Sequence, residues 1–371
     1  MKTTLLDEEW EMLASLLPEG WQDLARETGA MRRARGAVKT PEVLLRLLLL
    51  HVATGLSLKQ TVARARVQKL ATLSDVALLK RLRSSEGWLR EMDRRLFEAS
   101  RFSRVAVAPQ GRRLRAIDAT AVEEPGATGT DWRVHYSISL PDLACDFYEL
   151  TDASGGETYK RIPVAPGDIL LADRGYSHRA GVAHVVKLGG DVIVRLGSRI
   201  FPLLEADQNK PFALLAHLRR LKGRQCREWS VRFAHGKRYW NARLCAVRRS
   251  KAAADKAKRK IQKVATKKGK QLLPDTLEYA EYVFVLATPT RDLLGTHEVL
   301  DLYRARWQIE LCFKRLKSLL QLGHLPKESD ASARAWIQGK LLTVMLVERL
   351  IEKARFFSPW GFDLTASQPM A

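Results

Sequence analysis

The sequence predicts an α/β protein. An all-α N-terminal region precedes a mixed sheet with flanking helices, and a basic, β-rich segment interrupts the sheet region. Three observations carry this expectation. Apolar residues recur at helical spacing up to about residue 105 and with a period of two from about residue 112. Adjacent strand-like runs are then followed by strand–helix alternation, the pattern of a mixed sheet with helices packed on it. Finally, residues 219–270 hold 20 Lys or Arg against two acids, Glu228 and Asp255.

In chain order, "TPEVLLRLLLLHVATG" carries Pro41 at a helix start and Gly55 at its end, the usual punctuation. "SLKQTVARARVQKL" and "SDVALLKRLRSSEGWLREMDRRLFEAS" follow, with Ser57 and Ser74 placed as N-caps. Two short helices with a basic second member suit a helix-turn-helix reader of DNA. They suit equally an ordinary bundle with a solvated basic face. "LRAIDATAV", "WRVHYSISL", "CDFYELTDA", "GDILLADRGY" and "DVIVRLG" read as five strands, with the helical "SHRAGVAHVVKLGG" before the fifth. "EWSVRF", the turn "AHGK" and "RYWNARLCAV" read as a hairpin, "KAAADKAKRKIQKVATKKGKQ" as a basic helix or tether, and "EYVFVLAT" as another strand. The segmentation is 1–108 helical, 109–200 and 291–371 the two parts of a core, and 201–290 the basic insertion.

The 371 residues are 46% hydrophobic and carry a formal charge of +22, so a core is affordable and the favoured partner is a polyanion. Nucleic acid fits better than an acidic membrane. The longest apolar run, from Val43, contains Arg46 and His51 and is too short to span a bilayer. The acidic start "MKTTLLDEEWEML" does not look like an export signal, and a cytoplasmic protein is expected. Cys145, Cys226, Cys245 and Cys312 are scattered, with no spacing suited to zinc. In the basic segment, Trp229 and Trp240 are interleaved with charge, which points to nucleic-acid contact.

Two acids stand in unusual places. Asp118 interrupts an apolar strand, where a carboxylate is costly unless compensated. Asp173 follows "DILLA" at a strand end, where open sheets gather ligands. Asp131, Asp152 and Asp168 read as turn or cap residues, His135 as a satisfied strand residue, and His178 as a neighbour of Asp173. The stretch "YRARWQIELCFKRLKSLL" reads as one helix. With Tyr303 at zero, Arg306 falls near about −60°, Lys317 near −40° and Glu310 near −20°. Leu302, Ala305, Ile309, Cys312, Leu316, Leu319 and Leu320 form the opposite, apolar stripe. Trp307 borders the polar row. An ion pair between Arg306 and Glu310 would account for two members of that row, but not for Tyr303 or Lys317. Asp118, Asp173 and Glu310 together would suit hard divalent cations, with Tyr303, Arg306 and Lys317 holding phosphates beside them.

"AIDATAV", "LLADRGY" and "YRARWQIELCFKRLK" resemble the three acidic motifs of DDE transposases of the bacterial insertion-sequence-four family. Tyr303, Arg306, Glu310 and Lys317 match that family's Tyr-Arg-Glu-Lys signature without a gap. The resemblance runs from the N-terminal helices to "FFSPWGF". It implies an RNase H-like catalytic core, a helical N-terminal DNA-binding domain and a β-rich insertion between the second and third acids. It implies that Asp118, Asp173 and Glu310 coordinate two Mg²⁺, for which Mn²⁺ substitutes. Nicking at the inverted repeats, hairpin formation and opening, and strand transfer into target DNA would follow, in a homodimer acting at the bacterial nucleoid. A flipped base would need a stacking partner; Trp240, then Trp229, are the candidates, and Trp307 suits either stacking on DNA or packing. Two other readings remain: an RNase H-like nuclease without strand transfer, and a catalytically silent, sequence-specific DNA-binding protein.

Overall fold

The structure, a computed structural model, describes residues 5–32, 36–101, 111–124, 126, 131–140, 144–197, 201–223, 225–267, 269, 271–319, 325 and 329–355. The segment "FFSPWGF" lies outside them, as do the side chains of Cys312, Leu316, Leu319 and Leu320. The chain forms two compact units. One comprises Met1–Arg104, Ala121–Arg133 and Phe313–Ala371; the other comprises Val105–Thr120 and Val134–Cys312.

The first unit is helical: α1 (Leu5–Ala14), α2 (Trp21–Glu27), α3 (Pro41–Thr54), α4 (Leu58–Val67), α5 (Asp75–Ser84) and α6 (Glu86–Arg101). Local chemistry sets their ends. The Thr40 hydroxyl accepts the Val43 N–H ahead of Pro41, and Gly55 closes α3 at φ 70°. Ser57 and Gln60 form a reciprocal capping box, and Ser74 accepts the Ala77 N–H. Leu44, Leu45, Leu47 and Leu48 of α3 are fully buried, each worth about 1.5–3 kcal/mol. The long C-terminal helix 330–355 packs against α3, α5 and α6, so its apolar face is core. The Trp88 indole stacks on Trp21 and donates to its carbonyl at 2.8 Å.

The second unit holds most of a nine-stranded mixed sheet: β1 (Arg113–Val122), β2 (Trp132–Leu140), β3 (Cys145–Asp152), β4 (Asp168–Ala172), β5 (Asp191–Arg195), β6 (Leu204–Glu205), β7 (Cys226–His235), β8 (Arg238–Arg248) and β9 (Tyr282–Ala287). The order is β3-β2-β1-β4-β5-β9-β8-β7-β6. β1, β4 and β5 run parallel, and β9, β8, β7 and β6 continue antiparallel. The strands of the basic segment therefore extend the same sheet. A two-residue turn, Gly236–Lys237, closes the β7–β8 hairpin with Gly236 at φ 61°.

Further helices are α7 (Arg179–Lys187), α8 (Leu214–Arg219), α9 (Lys251–Lys267), α10 (Pro274–Tyr279), α11 (Thr296–Ala305), α12 (Trp307–Leu319) and α13 (Asp330–Arg355). Strand side chains alternate between faces. One face carries Ile117, Ala172, Val194, Leu244 and Phe284 into a core completed by α7 and α8. α11 packs against β4, β5, β7, β8 and β9.

The stretch from Tyr303 is not one helix, as its periodicity predicts. α11 ends at Ala305, Arg306 is a turn residue, and α12 starts at Trp307. The join is tightened by three-residue bonds, Arg306 N–H to Tyr303 O at 3.3 Å and Ile309 N–H to Arg306 O at 3.2 Å. No Pro or Gly marks it; it coincides with a largely buried Arg306 side chain. Of the expected apolar stripe, Ile309 is buried and Leu302 and Ala305 are half-buried, with Phe313 buried beside them.

Candidate active site

Two parallel strands bring the first two acids together. Ala116 of β1 is in register with Leu171 of β4. Asp118 and Asp173 each lie two residues further on, so they project from the same face at neighbouring positions, with strands about 4.8 Å apart. Asp173 begins a 3-10 turn, Arg174–Tyr176, and its Oδ1 accepts the Gly175 N–H at 2.7 Å. Asp118 Oδ1 accepts the Ala119 N–H at 2.8 Å, and its side chain is 18% exposed.

The Arg306 guanidinium stands beside them, 3.9 Å from Asp118 Oδ2, and donates to Glu310 Oε1. It also lies over the Tyr303 ring at 5.7 Å from its centre. Glu310 is 57% exposed and faces Arg306. Lys317 is exposed further along α12, and Trp307 is 52% exposed at its first position.

Burial pushes the Asp118 carboxyl up to about 7. The Ala119 N–H and Arg306 oppose that rise, and the charges of Asp173 and Glu157 add to it. Burial likewise raises the Tyr303 phenol. Glu157 is an acid that sequence reasoning missed. A Cβ on residue 175 would collide with its carboxylate, and the same point lies 3.0 Å from Asp173 Oδ1. The glycine of "DRGY" thus leaves room for a second carboxylate beside Asp173. The only sequence signal was that glycine.

Other expected residues take structural places. His178 caps α7: its Nδ1 accepts the Gly181 N–H, which leaves Nε2 to donate to the Glu157 carbonyl at 3.1 Å. His135 bonds the Thr151 hydroxyl at 3.0 Å. Trp240 pairs with Phe233 and packs against the core cluster, on the face opposite Asp118, at the turn end of its hairpin. Its indole N–H is buried without a hydrogen-bond partner. Trp229 also packs against that cluster. Neither tryptophan is brought to the acids.

The donor set matches a hard divalent cation in kind: crowded carboxylate oxygens, one of them hard to ionise. It is not gathered into a closed ligand set. Among the described residues no group of three His, Cys, Asp or Glu side chains converges tightly enough to hold an ion. Arg306 lies between Asp118 and Glu310.

Neighbouring acids at the carboxyl ends of parallel strands, with the Arg306 guanidinium beside them, are an arrangement suited to phosphoryl transfer. The chain belongs to the transposase DDE domain family, whose model matches residues 152–346 and so includes Asp173 and Glu310. It is 34% identical over 351 residues to "Transposase for insertion sequence element IS421" of Escherichia coli, covering 92% of this chain and 93% of that protein. It is 34% identical over 350 residues, with the same coverage, to "Putative transposase InsL for insertion sequence element IS186A" of Escherichia coli strain K12. The protein is thus a DDE transposase, an enzyme acting on DNA by phosphoryl transfer. Among the described residues no helix is long and apolar enough to cross a membrane.

Proposed function

We propose that this transposase moves its insertion sequence by cut-and-paste chemistry. It would belong to the insertion-sequence-four group, with Tyr303, Arg306, Glu310 and Lys317 as the signature row on an RNase H-like core. The observation that supports the reading is the placement of Asp118 and Asp173, each two residues beyond the in-register pair Ala116–Leu171 of adjacent parallel strands, with the charge of Asp173 felt at Asp118. These two, joined by Glu310 on turning from Arg306, would hold two Mg²⁺, or Mn²⁺ in their place. Such ions, when bound, activate an attacking oxygen and stabilise a leaving one.

The chain's own residues do the rest. Arg306 grips a phosphate oxygen as a planar fork once it leaves Glu310, Lys317 supplies a point charge, and the Tyr303 hydroxyl donates to a neighbouring phosphate. Trp307, exposed on the same helix, offers a stacking surface for a base. Nicking, hairpin formation and opening, and strand transfer then follow at the inverted repeats, in a homodimer. The helices of residues 1–108 and the basic segment 201–290, with α9 carrying seven of its 21 Lys and Arg residues, would hold flanking DNA.

The test is incubation of the full chain with Mg²⁺ and DNA bearing the element's ends. Joined products support the proposal. Cut but unjoined ends favour a nuclease, and a shifted but uncut band favours a DNA-binding protein; either would overturn it.

A further inference from the structure

The basic stretch 219–270 holds two acids, and one of them, Glu228, lies on the β7–β8 hairpin. Glu228 is opposite Cys245, and Ser230 is opposite Arg243. Strand alternation therefore sets Glu228 and Arg243 on one face of the sheet, while Leu244 joins the core cluster on the other. Ile117 belongs to that same cluster, so Asp118 shares the face of Glu228 and Arg243. α11 packs against β7 and β8.

The two side chains hold the loop that leads into α11. Arg243 is 9% exposed. Its Nε donates to the Pro289 carbonyl at 3.0 Å, and its Nη2 to the Thr290 and Leu294 carbonyls at 3.3 and 2.7 Å. Its Nη1 donates to Glu228 Oε2 at 2.7 Å. That oxygen also accepts the hydroxyl of Thr296, the first residue of α11, at 2.6 Å. Burial pushes the Glu228 carboxyl up, but the Thr296 hydroxyl and Arg243 outweigh that and hold it below its ordinary range. Among the described residues, every side-chain hydrogen bond from the sheet to residues 289–296 comes from this pair. α11 then runs ten residues, about 15 Å, to the other end. There it carries Tyr303 and leads to Arg306, which stands 3.9 Å from Asp118 and donates to Glu310. A helix moves as a rigid piece, so a shift of its first turn is carried to that end.

We propose that Arg243 and Glu228 are positioning residues for the phosphoryl transfer: they fix the first turn of α11 and so set where Tyr303, Arg306 and Glu310 stand relative to Asp118. The pair touches no reacting atom. The inference rests on the reading of that row as part of the active site. It makes the hairpin of the basic insertion part of the frame of the site, in addition to any DNA it holds.

The first test is hydrogen exchange of the full-length chain, read by mass spectrometry without DNA or Mg²⁺. It therefore stands even if the wild type neither cuts nor joins. Arg243→Lys keeps a charge for Glu228, but an ammonium lacks the planar fork that spans three carbonyls. Residues 296–310 should exchange several-fold faster in this variant, with β4 and β5 unchanged. Glu228→Ala should do the same. Glu228→Gln keeps an oxygen for Thr296 and Arg243, and should restore slow exchange. Leu244→Val loosens the same strand from its other face and should leave residues 296–310 as in the wild type. The second test is cleavage of DNA bearing the element's ends. At saturating DNA, Arg243→Lys should cut about 100-fold more slowly, the effect of a misplacement on the order of 1 Å, with unchanged DNA affinity. If Arg243→Lys does not fold, Glu228→Ala is held to both measurements. Unchanged exchange over 296–310 in folded variants overturns the proposal. Equal loosening by Leu244→Val overturns it too, because it would mean a shared packing effect, and so does cleavage at the wild-type rate.

Discussion

The paired strands β1 and β4 have acids near both ends, buried Asp168 at one and half-buried Asp118 and Asp173 at the other, and the two ends are built to opposite rules. At the start of β4, Asp168 is compensated on every side. Arg113 donates to both its oxygens at 2.7 Å, Arg115 donates at 3.1 Å, and the Ala165 N–H at 3.0 Å. Burial pushes its carboxyl up, but the Arg113 bonds, the Ala165 N–H and the two guanidiniums outweigh that and hold it below the usual range. At the other end, Asp118 faces two further acids, receives one backbone N–H and has Arg306 only at 3.9 Å. Its carboxyl rises to about 7. The first end is a finished ion network that ties strands together. The second retains an electrostatic deficit that a cation would relieve, so it is the end suited to chemistry.

The largest effect tests the finished end. Asp168→Ala would leave Arg115, fully buried, with Asp146 as its remaining carboxylate partner. A loss of about 3–5 kcal/mol in urea unfolding is expected, the cost of breaking a buried pair. Asp118→Asn should act in the other direction. Because folding raises the Asp118 pKa, its folded state binds the proton more tightly. Stability should fall as pH rises from about 4 to about 7 and be flat above, by at most about 4 kcal/mol. Asn should remove that slope and stabilise the protein at about pH 8 while abolishing cleavage. Unfolding curves across pH check this.

Lys340 of α13 gives an intermediate case in the helical unit. It is 1% exposed, its ammonium lies over the Trp336 ring at 4.9 Å without a hydrogen-bond partner, and burial lowers its pKa to about 8. Lys340→Met should stabilise by about 1–2 kcal/mol near neutral pH. The gain should shrink as pH rises from about 8 to about 10, where the lysine loses its charge in the folded state first. The smallest stability effect belongs to Glu310→Gln. An exposed pair four residues apart is worth about 0.2–0.5 kcal/mol, so unfolding should hardly change while cleavage is lost. A large destabilisation would recast Glu310 as a structural partner of Arg306.

The features legible in the sequence were those set by near neighbours. Ser57 and Ser74 cap helices where their side chains can reach a backbone N–H three residues on. The Gly236–Lys237 turn fixes a hairpin through one left-handed residue. What escaped depended on pairing across the sheet. Asp168 read as a turn residue because Arg113 and Arg115 sit 55 and 53 positions away in the chain. Trp240 lies among cations in the chain, and strand alternation sets it half-buried against the core cluster, a placement that depends on its strand partners. The break at Arg306 also left no local mark, since that residue keeps helical angles, φ −52° and ψ −29°. Asp118 and Asp173 stood out because each violated its local pattern, and the fold sets them on neighbouring strands, whereas Glu157 sits in polar text that conceals its place beside Asp173.

The central claim is that Asp118 and Asp173 form a cation site left open by the fold. The most direct measurement is the melting midpoint of the full chain, without DNA, as Mn²⁺ is added. The wild type should be stabilised, more at about pH 8 than at about pH 6 because the cation displaces the Asp118 proton. Asp118→Asn and Asp173→Asn should lose the effect. Equal stabilisation of the wild type and both variants, at either pH, would contradict the claim.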